Sequence, residues 1–232
     1  MPPKKRADVV NFYNLIPKSD LLHADNPHIN SHHITLPFRM LCIGSSGSGK
    51  TSTMLNIIRV MPNTWSTIIV ITKNADEPLY KFLKKKIKDG LTIVEGLENL
   101  PNLDSFDKNV NNLVIFDDLI GEKKEKLRVV EQYYLRARKL NVSTAFLSQS
   151  YFKIPQLIRQ NANVILIKKI ASIRDFNRMA SEYSFGIPKE QLIYMYRMCT
   201  SKFLDFLMIL VDNPIESKFY HNFNPIHIEE DI

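Results

Sequence analysis

From Phe38 onward, short apolar runs rich in β-branched residues alternate with longer segments of helical period. The runs are Phe38–Ile43, Thr67–Thr72, Leu91–Val94, Leu113–Phe116, Val142–Leu147, Val164–Ile167 and Phe203–Val211. Several are apolar throughout, as strands covered on both faces of a parallel sheet must be. Between them the period predicts helices over 50–61, 76–89, 122–140, 155–161, 172–183 and 188–199. In the segment 122–140, Leu127, Val130, Tyr134 and Ala137 share one face, whereas Glu122, Lys123, Lys126 and Arg136 lie elsewhere. That helix is expected to pack on the sheet. The alternation defines an α/β fold, a mostly parallel central sheet flanked by helices. Residues 1–37 break the pattern: they hold four of the six histidines, several prolines and little periodicity. They read as an extended lead-in without core residues, ahead of one domain over 38–232.

Composition narrows the class further. Of 232 residues, 31 are Lys or Arg and 24 are Asp or Glu, a formal net charge of +7. With 44% hydrophobic and 24% charged residues, the chain is neither disordered nor collagen-like nor a coiled coil. Cys42 and Cys199 are the two cysteines; without a CxxC they suggest neither a disulfide framework nor a cysteine zinc site, and a reducing compartment fits. No apolar run approaches the roughly 18 residues of a membrane span, so a soluble, intracellular protein is expected. The basic start Lys4-Lys5-Arg6 is not followed by the apolar stretch of a secretory signal. It reads equally as a nucleic-acid contact or a solvated terminus. His28 and His32 have i,i+4 spacing, but Pro27 and Ser31 give them a loop context, and no metal site is expected there.

The strongest chemical signal is Gly44-Ser45-Ser46-Gly47-Ser48-Gly49-Lys50-Thr51, with Ser52 following, which fits GxxxxGK[ST] between an apolar strand and a helix. Glycines let the backbone wrap a polyphosphate so that successive N–H groups and the helix N-terminus face the negative charge. Lys50 is then expected at the β- and γ-phosphates and the Thr51 hydroxyl on Mg²⁺, making ATP and Mg²⁺ the cofactors. The strand Leu113–Phe116 ends in Asp117-Asp118. Asp117 is the candidate to meet Mg²⁺ through its water shell, and Asp118 the candidate general base for an attacking water. The strand Val142–Leu147 ends in Ser148-Gln149-Ser150, which sets the Gln149 amide beside the γ-phosphate if that strand lies between the other two. Arg136, Arg138 and Arg159 are the arginines available to act on a neighbouring subunit's phosphate, though each also suits a helix C-terminus.

Motifs in this order, with an extra strand Thr67–Thr72 between the first two, resemble the additional-strand P-loop ATPases of RecA-like type. More narrowly, the chain resembles the viral genome-packaging ATPases of the FtsK–HerA superfamily, the poxvirus-type group of large DNA viruses and virophages. The stretches carrying this are Leu36–Arg39, Val114–Leu119, Tyr133–Lys139 and Asn141–Pro155, followed by Ile158–Asn163. The resemblance covers about residues 35–170. It implies that Lys50 and Thr51 bind phosphate and Mg²⁺, Asp117 completes the metal site, Asp118 stands where many relatives have glutamate, and Gln149 is the sensor. It further implies a homo-oligomeric ring with an arginine acting in trans, Arg138 ahead of Arg159. The implied activity is ATP-driven packaging of double-stranded DNA, with a capsid portal or vertex protein as partner, in the virus factory of the host cytoplasm or in the virion.

Sequence-independent grip on DNA requires lysines and arginines aimed at phosphates. The clusters offered are Lys81–Lys88, Lys123–Arg128 and Lys168-Lys169. Other classes share the P-loop. A small-molecule kinase would need an arginine-rich lid and an acceptor pocket, a helicase or recombination-type ATPase would not package, and a structural nucleotide binder would tolerate loss of Asp118.

Overall fold

The computed structural model describes residues 10–17, 21, 25–182 and 186–228. Nine strands form one sheet: β1 (Arg39–Ile43), β2 (Thr67–Thr72), β3 (Leu91–Glu95), β4 (Asn112–Asp117), β5 (Val142–Ser148), β6 (Val164–Ile167), β7 (Leu207–Leu210), β8 (Phe219–His221) and β9 (Asn224–Pro225). Their spatial order is β3-β2-β4-β5-β1-β6-β7-β8-β9. Pairing is parallel from β3 across to β6 and antiparallel from β6 to β9. The helices are α1 (Ile29–His32), α2 (Lys50–Val60), α3 (Pro78–Lys86), α4 (Lys124–Arg136), α5 (Gln156–Asn161), α6 (Ile173–Glu182) and α7 (Lys189–Cys199).

Every residue of β4, β5 and β6 is buried, because each face of the sheet carries its own core. One packs Tyr133 and Tyr134 of α4, Ile158 of α5, Phe176 of α6 and Met195 of α7 against Leu41, Val114 and Phe146. The other packs Met54 and Ile57 of α2 and Tyr80 of α3 against Met40, Ile115 and Leu147. The face expected of the 122–140 segment is the buried one, with Leu127, Val130, Tyr134 and Ala137 all inside.

Three expectations are corrected. The lead-in does reach the core: Ile34 and His32 are fully buried, and the His32 Nδ1 accepts the Ile34 N–H at 3.0 Å. Helix α3 is shorter than 76–89, starting at Pro78, whose fixed φ suits a first helical position. The run Phe203–Val211 is strand only over 207–210. Leu204 turns the chain at φ +74, and Phe203 is left 74% exposed, so that the segment before β7 folds back against the loop after β1. The basic tail at Lys4–Arg6 lies outside the described residues. Among the described residues no helix is long and apolar enough to cross a membrane.

Candidate active site

The parallel strands end at one edge, where α/β sheets hold their ligands. There the order β4-β5-β1 sets the three motif-bearing strands side by side, with the Gln149 strand between the other two. The loop after β1 is anchored on both sides: Gly44 N–H donates to the Ser148 carbonyl at 3.1 Å and Ser45 N–H to the Lys169 carbonyl at 3.0 Å. Gly49 has φ +82, where a side chain is strained, and a Cβ there would lie 2.5 Å from Leu204 Cδ2, so that Leu204 would have to move. The first bond of α2 runs from Thr53 N–H to Gly49 C=O at 2.8 Å. The N–H groups of Lys50, Thr51 and Ser52 therefore lack intrahelical partners and face out of the helix end, an arrangement suited to an anion.

Lys50 Nζ donates to the carbonyls of Gly44 at 2.9 Å and Ser45 at 3.0 Å. Burial lowers its pKa, opposed by the nearby carboxylates of Asp117 and Asp118. Thr51 Oγ1 donates to Asp117 Oδ2 at 3.1 Å, and the Tyr80 hydroxyl donates to the same oxygen. Asp117 is 5% exposed. Burial pushes its pKa up, and the bonds from Tyr80 and Thr51 and the charge of Lys50 pull it back. Next to it, Asp118 adopts φ +54, uncommon outside glycine, and its Oδ1 accepts the Gln149 amide at 3.2 Å. Lys50, Thr51, Asp117, Asp118 and Gln149 line one cleft of about 360 Å³, together with Ser46, Gly47, Gly49 and Ser52. Glu77 adds a carboxylate whose pKa is raised by burial and by the two aspartates.

Gly44, Ser45 and Ser48 support the loop instead of lining the cleft. Ser45 Oγ accepts the Ala171 N–H at 2.7 Å, and Ser48 Oγ sits 2.6 Å from where a Gly44 Cβ would stand. The oxygens of Thr51 and Asp117, converging on the phosphate side of the cleft, are the hard donor set that Mg²⁺ prefers.

The arginines are not in the cleft. Arg159 is buried, with its Nε 3.4 Å from Glu182 and its guanidinium 4.8 Å from the Tyr151 ring. It is an internal strut and is not presented to a neighbour. Arg138 is exposed on the turn after α4, near Arg39 at the start of β1, the sheet end opposite the cleft. Of the basic clusters, Lys168 is withdrawn: it is 1% exposed, and its Nζ donates to Thr53 Oγ1 at 3.0 Å and to the Leu204 carbonyl at 2.7 Å. Burial lowers its pKa. It ties β6 to α2 and to the turn before β7. Sequence reasoning passed over Tyr80, Glu77 and this internal role of Lys168. Tyr80 repeats three residues before Leu83 on a buried helical face and so looks like plain core.

A family model described as "Poxvirus A32 protein" matches residues 29–222. The chain belongs to that family. Among curated relatives, the DNA packaging protein OPG160 of vaccinia virus (strain Copenhagen) is 25% identical over 195 residues, covering 78% of this chain and 72% of the relative. Among solved structures, the DNA-packaging ATPase B204 of Sulfolobus turreted icosahedral virus superposes with a TM-score of 0.62 at 16% identity, covering 84% of this chain and all of that one. The genome packaging NTPase B204 of Sulfolobus turreted icosahedral virus 2, in complex with ATP-gammaS, gives 0.59 at 14% identity over 83% of this chain and all of the other. The fold is that of the P-loop ATPases.

Proposed function

We propose that this A32-family chain is an ATP-hydrolysing motor that packages double-stranded DNA. The observation that carries it is the convergence of Lys50, Thr51, Asp117, Asp118 and Gln149 on one cleft at the strand ends; the name of the vaccinia relative, DNA packaging protein, supplies the task. The N–H groups at the start of α2 and the Lys50 ammonium hold the triphosphate. Thr51 and Asp117 would hold Mg²⁺, which would supply charge neutralisation on the phosphates when the γ-phosphoryl group passes to water. Asp118 orients and deprotonates that water, and Gln149, bonded to Asp118 at 3.2 Å, steers the carboxylate and offers its amide to the γ-phosphate. The nucleoside end lies on the other shoulder of the loop, in a cavity of about 410 Å³ walled by Ser45–Ser48, Lys169–Ala171 and Thr200–Asp205.

Arg138 lies at the sheet end opposite its own cleft, so in this reading it acts on the nucleotide of a neighbouring subunit in a head-to-tail ring. A capsid portal or vertex protein is the expected docking partner, and the virus factory or virion the place of work. The test is the steady-state ATPase rate with and without long duplex DNA, across a salt series and several protein concentrations. A motor shows DNA stimulation that fades steeply with salt and rises cooperatively with protein concentration. A rate indifferent to DNA but responsive to a small phosphate acceptor would establish a kinase instead.

A further inference from the structure

The chain segments that leave the tips of β4 and β5 carry cations that the chemistry of the cleft does not use. Helix α4 begins just past the turn that follows Asp118, and the loop after Gln149 runs to Pro155 at the cap of α5. Between them lies an open, polar groove of about 390 Å³. Lys124 and Arg128 of α4 and Lys153 of the loop line it; all three are exposed, and none makes an ion pair with another described residue. Arg159 in its wall is already matched by Glu182. Glu131 is the one carboxylate of the lining, so the open surface holds an excess of two positive charges.

At the same place α4 starts on Lys123 at its cap, without a side-chain cap bond, followed by Lys124; Glu125 supplies the acidic residue that a helix N-terminus favours, while the Lys124 side chain is left to the groove. Phe152 stands 45% exposed beside them, with the Arg178 guanidinium 4.7 Å from its ring. The lysines of α3 form an open helix face, where Lys81 is paired with Asp76 at 3.3 Å.

We infer that this groove grips the phosphate backbone of double-stranded DNA, with Lys124, Arg128 and Lys153 as its phosphate contacts. The inference rests on the packaging reading and adds where the DNA is held. It also gives a physical link between chemistry and grip. Both walls are rooted at strand tips joined by the Asp118–Gln149 hydrogen bond, so a γ-phosphate that draws Gln149 away releases the tie between the two walls. Contacts to phosphate alone carry no sequence preference, as a packaging motor requires.

The test is equilibrium binding of a fluorescein-labelled, random-sequence duplex over a salt series. It compares the wild type, the variant Lys124→Ala/Arg128→Ala/Lys153→Ala and a variant of α3 and the turn after it, Lys81→Ala/Lys84→Ala/Lys85→Ala/Lys88→Ala, called the α3 variant. Each lost phosphate contact flattens the slope of log affinity against log salt by about 0.9. The groove variant is expected to lose between two and three from the slope while retaining affinity for a fluorescent ATP analogue. The α3 variant is expected to keep the wild-type slope. If the triple variant does not fold, Lys153→Ala alone, on an exposed loop side chain, must flatten the slope by about 0.9. An unchanged slope in the groove variant, or the loss appearing in the α3 variant instead, overturns the groove. A wild type that binds no duplex at any salt concentration overturns the packaging reading itself, a distinguishable result.

Discussion

Tyr80→Phe removes one hydroxyl and leaves the ring in its place in the core. The hydroxyl donates to Asp117 Oδ2, the oxygen that also accepts from Thr51 at 3.1 Å. When Thr51 turns its hydroxyl toward Mg²⁺, Tyr80 becomes the remaining side-chain donor on that oxygen. A hydrogen bond to a charged group contributes about 1.5–3 kcal/mol. Taking about 2 kcal/mol, a domain of this size should melt about 4–8 °C lower. If about 1.4 kcal/mol of this also holds the carboxylate in its metal-ready position, the Mg²⁺ concentration giving half-maximal ATPase rises about tenfold. The pH dependence has a definite sign. The bond lowers the Asp117 pKa, so its stabilisation is present while the carboxylate is ionised and is lost as pH falls through that pKa. Wild type and variant should therefore converge in melting temperature in acid. Scanning calorimetry across pH and an Mg²⁺ titration of the ATPase rate read both quantities. A variant with unchanged or tighter Mg²⁺ dependence would refute the reasoning, since the phenol would then be idle or a competitor of the metal.

Further outcomes follow from the same coordinates. Lys50→Ala should abolish turnover, whereas Arg138→Ala should preserve nucleotide binding and lower turnover only at protein concentrations that support assembly; the concentration dependence of the ATPase rate separates them. Lys168→Met removes the donor to Thr53 and Leu204 and should cost about 1–3 kcal/mol, with hydrogen exchange rising selectively over residues 200–205 and the first turn of α2. Burial, helped by His33 and His28, depresses the His32 pKa to about 4. The unfolded chain then binds the extra proton first, so stability should be complete above pH 6.5 and drain away as pH falls toward 4. Chemical denaturation at stepped pH should show this slope and its loss in His32→Gln.

Much of this architecture is legible because it is written in local pattern. The parallel strands are uninterrupted apolar runs, and the loop Gly44–Thr51 has a spacing that few other structures tolerate. The placement of Gln149 beside Asp118 follows once the strand order is known. What escapes is tertiary in origin. Strands β8 and β9 have three and two residues, too short for any period, and form only because β7 offers an edge. Phe203 and Leu204 read as strand because apolar residues usually are; their turn depends on Lys168 seizing the Leu204 carbonyl from another strand. Arg159 has the sequence of a helix-end cation, and only Glu182 of α6 reveals it as a strut. Lys168 looks solvated because nothing local shows that α2 and the turn before β7 close over it.

The two carbonyls that hold Lys50 compete with any phosphate for it. Its ammonium rests on the carbonyls of Gly44 and Ser45, so the loop is itself a rival for the lysine. A ligand gains from Lys50 only what exceeds those two bonds, and ligands without phosphates long enough to reach it gain nothing from that source. Once phosphate has been cleaved, the lysine has a ready refuge, so departure of the product does not strand a bare charge in a half-buried cleft. Weakening that refuge would make the spent nucleotide slower to leave.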